Sequence, residues 1–237
     1  MSTTSDKFFT DEEKKLIEET ISDVEKKTSG EIVAMVVDQS DRYEDAEVVG
    51  SILIAAALSV YPAEAFFMKS SYLLHKMLPS VSWLTKAPDE IRFIAGLCAF
   101  ILFILVLYMP LRSLAGRMTR MKRFFIREKR KQFEVRSRAI RAFHEHRLDA
   151  TRDGTGILFL ISLLEHKVYV LADHGIYAKI SQTALDGYAT AVAAGIAEKR
   201  AAAALCESIR TIGADLAQHF PPRHDDVNEL KNKVISE

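Results

Sequence analysis

The stretch that decides the fold is FIAGLCAFILFILVLYMPLR, residues 93–112, in which no charged side chain comes before Arg112. A helix of nineteen uncharged residues is about 28 Å long, close to the roughly 30 Å hydrocarbon core of a bilayer. A core helix of this length normally keeps a polar face, and this stretch has none. The pattern predicts a membrane-spanning helix, with a buried core helix as the alternative.

A second uncharged stretch, VVGSILIAAALSVYPA, occupies residues 48–63. It is short for a bilayer span, and Pro62 is expected to kink or end a helix. Ser51, Ala55 and Ser59 form a row of small residues that would let another helix approach closely. Because a second span returns the chain to its starting side, we predict a transmembrane helical hairpin. A re-entrant or interfacial segment is the alternative here.

The segments beside these two stretches suggest an orientation. Residues 64–90 carry aromatic and aliphatic side chains suited to the membrane interface, although a plain loop is also compatible. A basic cluster follows residues 93–111, and the positive-inside rule places it in the cytoplasm together with both termini. It would bind anionic lipid headgroups or serve only to set the topology. Its cations are Arg112, Arg117, Arg120, Lys122, Arg123 and Arg127.

The overall composition describes a globular protein with uneven charge. The 32 basic and 32 acidic residues cancel, but the acidic ones concentrate before residue 48 and the basic ones in residues 112–152. Few aromatic side chains accompany the basic block, so we expect no nucleic-acid partner. Cys98 and Cys206 have no metal-binding spacing.

The flanking regions predict one α/β domain. Thr10 and Glu13 form a capping-box pattern that starts a helix, and EIVAMVV (31–37) follows as a buried strand. After the basic block, GILFLIS (156–162) and VYVLAD (168–173) predict an antiparallel hairpin, and two helices follow near 182–199 and 200–220. We predict a small α/β sandwich with a central mixed sheet of three to four strands flanked by helices, interrupted by the transmembrane hairpin.

This pattern divides the chain into five parts. The domain begins with a helix and a strand, is interrupted by the hairpin with its interfacial connection and a basic juxtamembrane helix, and then resumes. A mobile tail follows the prolines after the last helix. The predicted boundaries are 1–45, 46–111, 112–138, 139–222 and 223–237.

Three stretches together resemble the TPM-domain family: residues 8–37, FFTDEEKKLIEETISDVEKKTSGEIVAMVV; residues 152–176, RDGTGILFLISLLEHKVYVLADHGI; and HFPP, residues 219–222. They cover about half of the chain. The family's fold is an α/β sandwich with a central mixed sheet. The inserted hairpin is similar to the membrane-anchored bacterial branch, which implies the bacterial cytoplasmic (inner) membrane and a LemA-type membrane protein as partner.

The resemblance also implies a metal site. Some relatives bind calcium, and a plant branch has been ascribed weak acid phosphatase activity, with acidic residues in loops at one end of the sheet. Asp153 matches the family's aspartate best, and Asp38 and Asp41, which follow the first strand, could approach it. Calcium or magnesium would be the ion at this site.

A second group of ligand-type residues lies in FHEHRLDATRDGTG, residues 143–156. His146 and Asp149 share a helix face at a spacing of three, whereas His144 and His146 point apart. A metal site and a solvated helix end both fit this pattern, because no fixed metal-binding spacing is present.

These patterns favour a membrane-anchored accessory or interaction module without enzymatic activity. It would contact a membrane protein partner and anionic lipid. One alternative is a weak divalent-metal-dependent phosphatase that uses the loop carboxylates. Another is a self-assembling membrane scaffold, a homo-oligomer formed through Ser51, Ala55 and Ser59. The sequence shows no phosphate-binding loop or nucleophile elbow that would favour an enzyme.

Overall fold

The fold is described from a computed structural model, which describes residues 3–77, 89–117, 126–222, 230 and 232–237. The chain divides into two compact units. One unit combines Met1–Arg42 with Glu128–Glu237, and the other is Tyr43–Arg127. The first is an α/β domain, and the second is a pair of long helices that interrupts it in sequence.

One mixed sheet organises the α/β unit. Its strands are β1 Glu31–Val37, β2 Gly156–Ser162, β3 Lys167–Ala172 and β4 Ile235–Ser236. They lie in the order β3-β2-β1-β4. β1 is parallel to both β2 and β4, whereas β2 and β3 are antiparallel. The predicted α/β fold with a mixed sheet of three to four strands flanked by helices is confirmed.

The helix Asp11–Glu25 begins where the sequence places its capping residue. Thr10 accepts a hydrogen bond from the backbone N–H of Glu13 at 3.2 Å, and the Glu13 carboxylate accepts one from the N–H of Thr10 at 2.8 Å, which confirms the predicted capping box. The described residues form α1 Asp11–Glu25, α2 Glu44–Met77, α3 Asp89–Arg117, α4 Glu128–Glu145, α5 His174–Tyr177, α6 Gln182–Ala197 and α7 Ala201–His219.

One face of the sheet is covered by α1, α6 and α7. Because successive side chains of a strand point to opposite faces, Ile32, Ala34 and Val36 of β1 lie on this side. Phe159 of β2 and Leu205 of α7 are fully buried in the same core. This is the larger of the two hydrophobic cores, and it joins elements from before and after the inserted helices.

The other face is covered by α4. Val33 and Met35 of β1 pack with Leu158 and Leu160 of β2, beneath Ala139 and neighbouring residues of α4. Leu230 and Ile235 pack against this core from the C-terminal segment. The sheet is therefore buried on both faces, which explains why β1 and β2 are continuous apolar runs.

Several predicted boundaries need correction. Residues 128–138, assigned to a juxtamembrane helix, belong to the α/β unit as the start of α4, and residues 118–125 of that predicted helix lie outside the described residues. The tail predicted to be mobile supplies β4, whose Ile235 pairs with Met35. Pro62 does not end α2, which continues to Met77. The connection predicted for residues 64–90 falls partly on residues 78–88, which lie outside the described residues.

Candidate functional site

The paired helices α2 and α3 are the most unusual feature of the molecule. Each contains a window long and apolar enough to cross a membrane, Glu47–Ala65 in α2 and Gly96–Leu114 in α3. Large apolar side chains face outward along both. Tyr61 is 80% exposed and Phe93 74% exposed. Soluble proteins rarely leave contiguous apolar surface of this extent in water, and this surface makes α2 and α3 candidate membrane spans.

The predicted row of small residues lies on the inner side of this pair. Ser51, Ala55 and Ser59 are fully buried, Ala63 continues the row, and α2 packs against α3. The hydroxyl of Ser51 donates to the carbonyl of Glu47 at 2.6 Å, and that of Ser59 to Ala55 at 2.6 Å. Both hydroxyls are thus satisfied within their own helix, and small side chains permit close helix packing.

The six cations predicted to bind lipid headgroups are only partly described. Arg112 and Arg127 are exposed, and a guanidinium nitrogen of Arg112 donates to the Tyr108 hydroxyl at 3.3 Å. Arg117 is the last described residue of α3. Arg120, Lys122 and Arg123 lie outside the described residues.

The three carboxylates predicted to form a calcium or magnesium site do not come together. β1 and β2 are parallel, with Glu31 opposite Gly156 and Val37 opposite Ser162. Asp38 therefore follows the C-terminal end of β1, whereas Asp153 precedes the N-terminal end of β2. The two ends of the strands are separated by seven residues, which is about 20 Å at the usual rise. The expectation that Asp38 and Asp41 approach Asp153 is wrong.

Asp38 and Asp41 have structural partners instead. The Asp38 carboxylate accepts hydrogen bonds from the backbone N–H groups of Ser5, at 2.6 Å, and Thr4, at 3.3 Å. Asp41 lies 3.8 Å from the guanidinium of Arg130 in α4. The two carboxylates tie the segment after β1 to the N-terminal turn and to α4.

Asp153 lies in a loop that packs against the turn after β3. The N–H of Gly175 donates to the carbonyl of Gly154 at 3.1 Å, which brings the two loops together. Gly154 has a left-handed backbone (φ +63°), and a Cβ there would lie 2.3 Å from the ring of His174. That ring is oriented by Asp173, whose carboxylate lies 2.8 Å from Nδ1.

The histidine-rich helix end is arranged differently from the prediction. Asp149 pairs with His144, at 2.9 Å, because Arg147 turns the chain in a left-handed conformation (φ 58°) after α4. The hydrogen bond from His144 lowers the pKa of Asp149. His146 points elsewhere, with its Nε2 3.7 Å from a carboxylate oxygen of Glu237. No sequence pattern indicated this contact, because Glu237 comes from the segment predicted to be a mobile tail.

Glu25, at the end of α1, is the most perturbed acid described. Its carboxylate accepts hydrogen bonds from the N–H of Ile32, at 2.9 Å, and from the side-chain amide of Asn232. Desolvation by burial, reinforced by the nearby charge of Glu31, raises the pKa of Glu25 to about 8. An uncharged Glu25 is thus favoured where α1, β1 and the C-terminal segment meet.

Comparisons with known proteins support the fold. No protein family and no curated protein matches the sequence. Among solved structures, the chain is similar to the NMR structure of the BA42 protein from the psychrophilic bacterium Bizionia argentinensis, with 19% sequence identity and a TM-score of 0.55. The match covers 97% of this chain and 96% of that chain. At this identity the likeness shows a shared fold alone.

Proposed function

We propose that this chain is a membrane-anchored interaction module. The hairpin of α2 and α3 would cross the bacterial cytoplasmic membrane twice and hold the α/β unit at its cytoplasmic face. There the α/β unit would contact a membrane protein partner, and the basic segment after α3 would contact anionic lipid headgroups. The TPM-like stretches named above suggest a LemA-type protein as that partner.

The observation that carries this proposal is the outward apolar surface of the two paired helices. The inner sides of α2 and α3 pack against each other. On their outer sides, Leu53, Leu58, Leu102, Leu105 and Val106 are more than half exposed. Placing such side chains in lipid gains roughly 1.5–3 kcal/mol for each one fully buried. A lipid bilayer supplies this environment along the apolar windows of the two helices, Glu47–Ala65 and Gly96–Leu114.

The position of the hairpin in the chain supports a double crossing. Residues before Tyr43 and after Arg127 belong to one α/β unit, and β1 pairs directly with β2. A chain that crosses the membrane between these strands has to cross back before β2 can pair. An even number of crossings, here two, is therefore required.

The other functions considered have less support. A phosphatase would have to combine Asp153 with Asp38 and Asp41 in one site. These carboxylates lie at opposite ends of the parallel strands β1 and β2. Ser51, Ala55 and Ser59 are buried in the α2–α3 pair. Self-assembly through them would require α2 to leave α3 and pack against a helix of another copy.

Site-directed labelling tests the membrane arrangement. In a background with both native cysteines replaced by serine, single cysteines at Glu12, Lys179 and Ser80 would be labelled with an impermeant maleimide in sealed inverted vesicles. Glu12→Cys and Lys179→Cys lie in the α/β unit and should react from the cytoplasmic face. Ser80→Cys, between α2 and α3, should react only after permeabilisation. Labelling of all three from one face, or of Glu12→Cys and Lys179→Cys from opposite faces, would reject the proposal.

A further inference from the structure

Two carboxylates and one imidazole converge where the end of α4 meets the C-terminal segment. Glu145 is the last residue of α4, His146 follows it, and Glu237 follows β4. One ligand atom from each of the three lies within 4.8 Å of the other two. Ligands of one metal ion, bound at about 2.0–2.2 Å, lie roughly 3–4 Å apart. The 3.7 Å between Nε2 of His146 and Oε1 of Glu237 is in this range.

Arg138 orients both carboxylates. One guanidinium nitrogen lies 2.9 Å from Oε2 of Glu145, and the other contacts Oε2 of Glu237. Each carboxylate therefore keeps its second oxygen for another ligand, and the two acids and Arg138 sum to one negative charge. Carboxylates that bind metals are commonly held in this way by a hydrogen bond to the oxygen that the metal does not use.

His146 offers a nitrogen suited to a metal. Its Nε2 atom is buried and makes no hydrogen bond to the described residues. Leaving a buried polar atom without a partner costs stability, and such an atom needs an explanation. The same ring lines a groove of about 660 Å³ together with Val33, Leu230 and Ile235.

The backbone fixes Glu237 against β1. Its N–H donates to the carbonyl of Val36 at 3.0 Å, and its carbonyl accepts from the N–H of Asp38 at 2.8 Å. The Glu237 side chain thus starts from a defined point in the sheet, beside a helix that packs on that sheet. All three ligands are carried by regular elements and their immediate ends, which favours a preorganised site.

We propose that Glu145, His146 and Glu237 bind a divalent transition metal such as Zn²⁺. One imidazole and two carboxylates are typical ligands of this class of ion, and three protein ligands leave at least one position for water. The bound ion would clamp β4 and the C-terminal segment to α4. This inference concerns the α/β unit alone and stands independently of membrane insertion.

Metal titration of the whole chain tests the inference. The protein, in detergent, stripped with a chelator and free of any polyhistidine tag, would be titrated with Zn²⁺ by calorimetry and with Co²⁺ by visible absorption. We expect one ion per chain and a higher melting temperature with Zn²⁺. His146→Gln and Glu237→Gln should each weaken binding by at least about tenfold.

His144→Gln is the matched control. It lies on the same helix end, pairs with Asp149 and should bind Zn²⁺ like the unmodified chain. Glu145→Gln separates a loss of metal binding from a loss of folding. The Glu145 side chain is 56% exposed, so this substitution should weaken binding without lowering the melting temperature of the metal-free protein. Absence of Zn²⁺ and Co²⁺ binding, unchanged binding in His146→Gln, or equal loss in His144→Gln would overturn the inference.

Discussion

The carboxylate of Glu165 accepts a hydrogen bond from the backbone N–H of Ser40 at 2.9 Å, although 125 positions separate the two residues. Glu165 is buried in the turn between β2 and β3, and its second oxygen accepts a hydrogen bond from the hydroxyl of Ser162. The Ser40 hydroxyl in turn donates to Ser162 at 2.9 Å. This network fixes the point where the chain leaves the sheet for the inserted helices.

Removing Glu165 should destabilise the α/β unit. Glu165→Ala leaves the N–H of Ser40 and the hydroxyl of Ser162 without their acceptor, at a cost of about 1–3 kcal/mol for a buried polar group. Denaturant unfolding of the full chain in detergent, followed by circular dichroism, measures this loss. Glu207→Ala, whose side chain is 77% exposed on α7, is the control and should change stability little. Equal effects of the two substitutions would show that the network contributes no stability.

Glu25 should make stability depend on pH. Its pKa is raised from 4.5 to about 8 in the folded protein, so the folded state holds its proton more tightly than the unfolded state. The stability gained from this proton is complete below about pH 4.5, falls as pH rises, and is lost above about pH 8. The groups facing the carboxylate are Glu31, the N–H of Ile32 and Asn232.

Glu25→Gln tests this dependence, because glutamine stays uncharged at every pH. We expect the variant to melt several degrees above the unmodified chain at pH 8.5 and to lose this advantage near pH 5. Thermal melting from pH 5 to 9 measures the difference. Glu12→Gln, an exposed residue of the same helix, is the control. A constant difference between Glu25→Gln and the unmodified chain across this range would contradict the assigned cause.

The close packing of α2 on α3 should not tolerate a larger residue at Ala55. Ala55 is fully buried, and Ala55→Leu adds a bulky side chain at the helix contact, at a cost of about 1–3 kcal/mol. Ala57→Leu places the same side chain at an exposed position of α2, where lipid or detergent accepts it. Thermal melting in detergent should separate the two variants. If Ala57→Leu is the more damaging, the assignment of inner and outer sides is wrong.

The basic segment should determine which lipids accompany the protein. Replacing all six cations, from Arg112 to Arg127, with glutamine removes the charge that attracts anionic headgroups. We expect most of the anionic lipid that copurifies in mild detergent to be lost, as measured by mass spectrometry of the extracted lipid. The control replaces four exposed lysines of the α/β unit with glutamine and tests whether charge at any position has the same effect. They are Lys26, Lys27, Lys179 and Lys199. Equal loss in both variants would mean that anionic lipid binds by charge alone, without regard to position.

Much of the α/β fold could be predicted because its signals are local. The apolar runs of β1 and β2 coincide with the observed strands, and β3 begins one residue before its predicted start. Thr10 and Glu13 mark the start of α1 through contacts within one turn. These features depend on neighbouring residues, and periodicity and capping record them directly.

The sites were harder to predict because they depend on strand direction and on distant partners. Periodicity does not show that β1 and β2 run parallel. The parallel direction is what puts Asp38 and Asp153 at opposite ends of these strands. β4 has two residues, too few for a strand pattern, so the partnership of Glu237 with His146 was missed. Both errors concern contacts between segments that lie far apart in sequence.

The pairing of β1 with β2 also constrains how the protein is made. During synthesis, β1 leaves the ribosome first. The two apolar helices follow, and β2 emerges only after them. β1 therefore has to wait, unpaired and prone to aggregation, until the helices and β2 have been synthesised. We therefore expect chaperone depletion to harm this protein more than a protein whose α/β domain is translated in one piece.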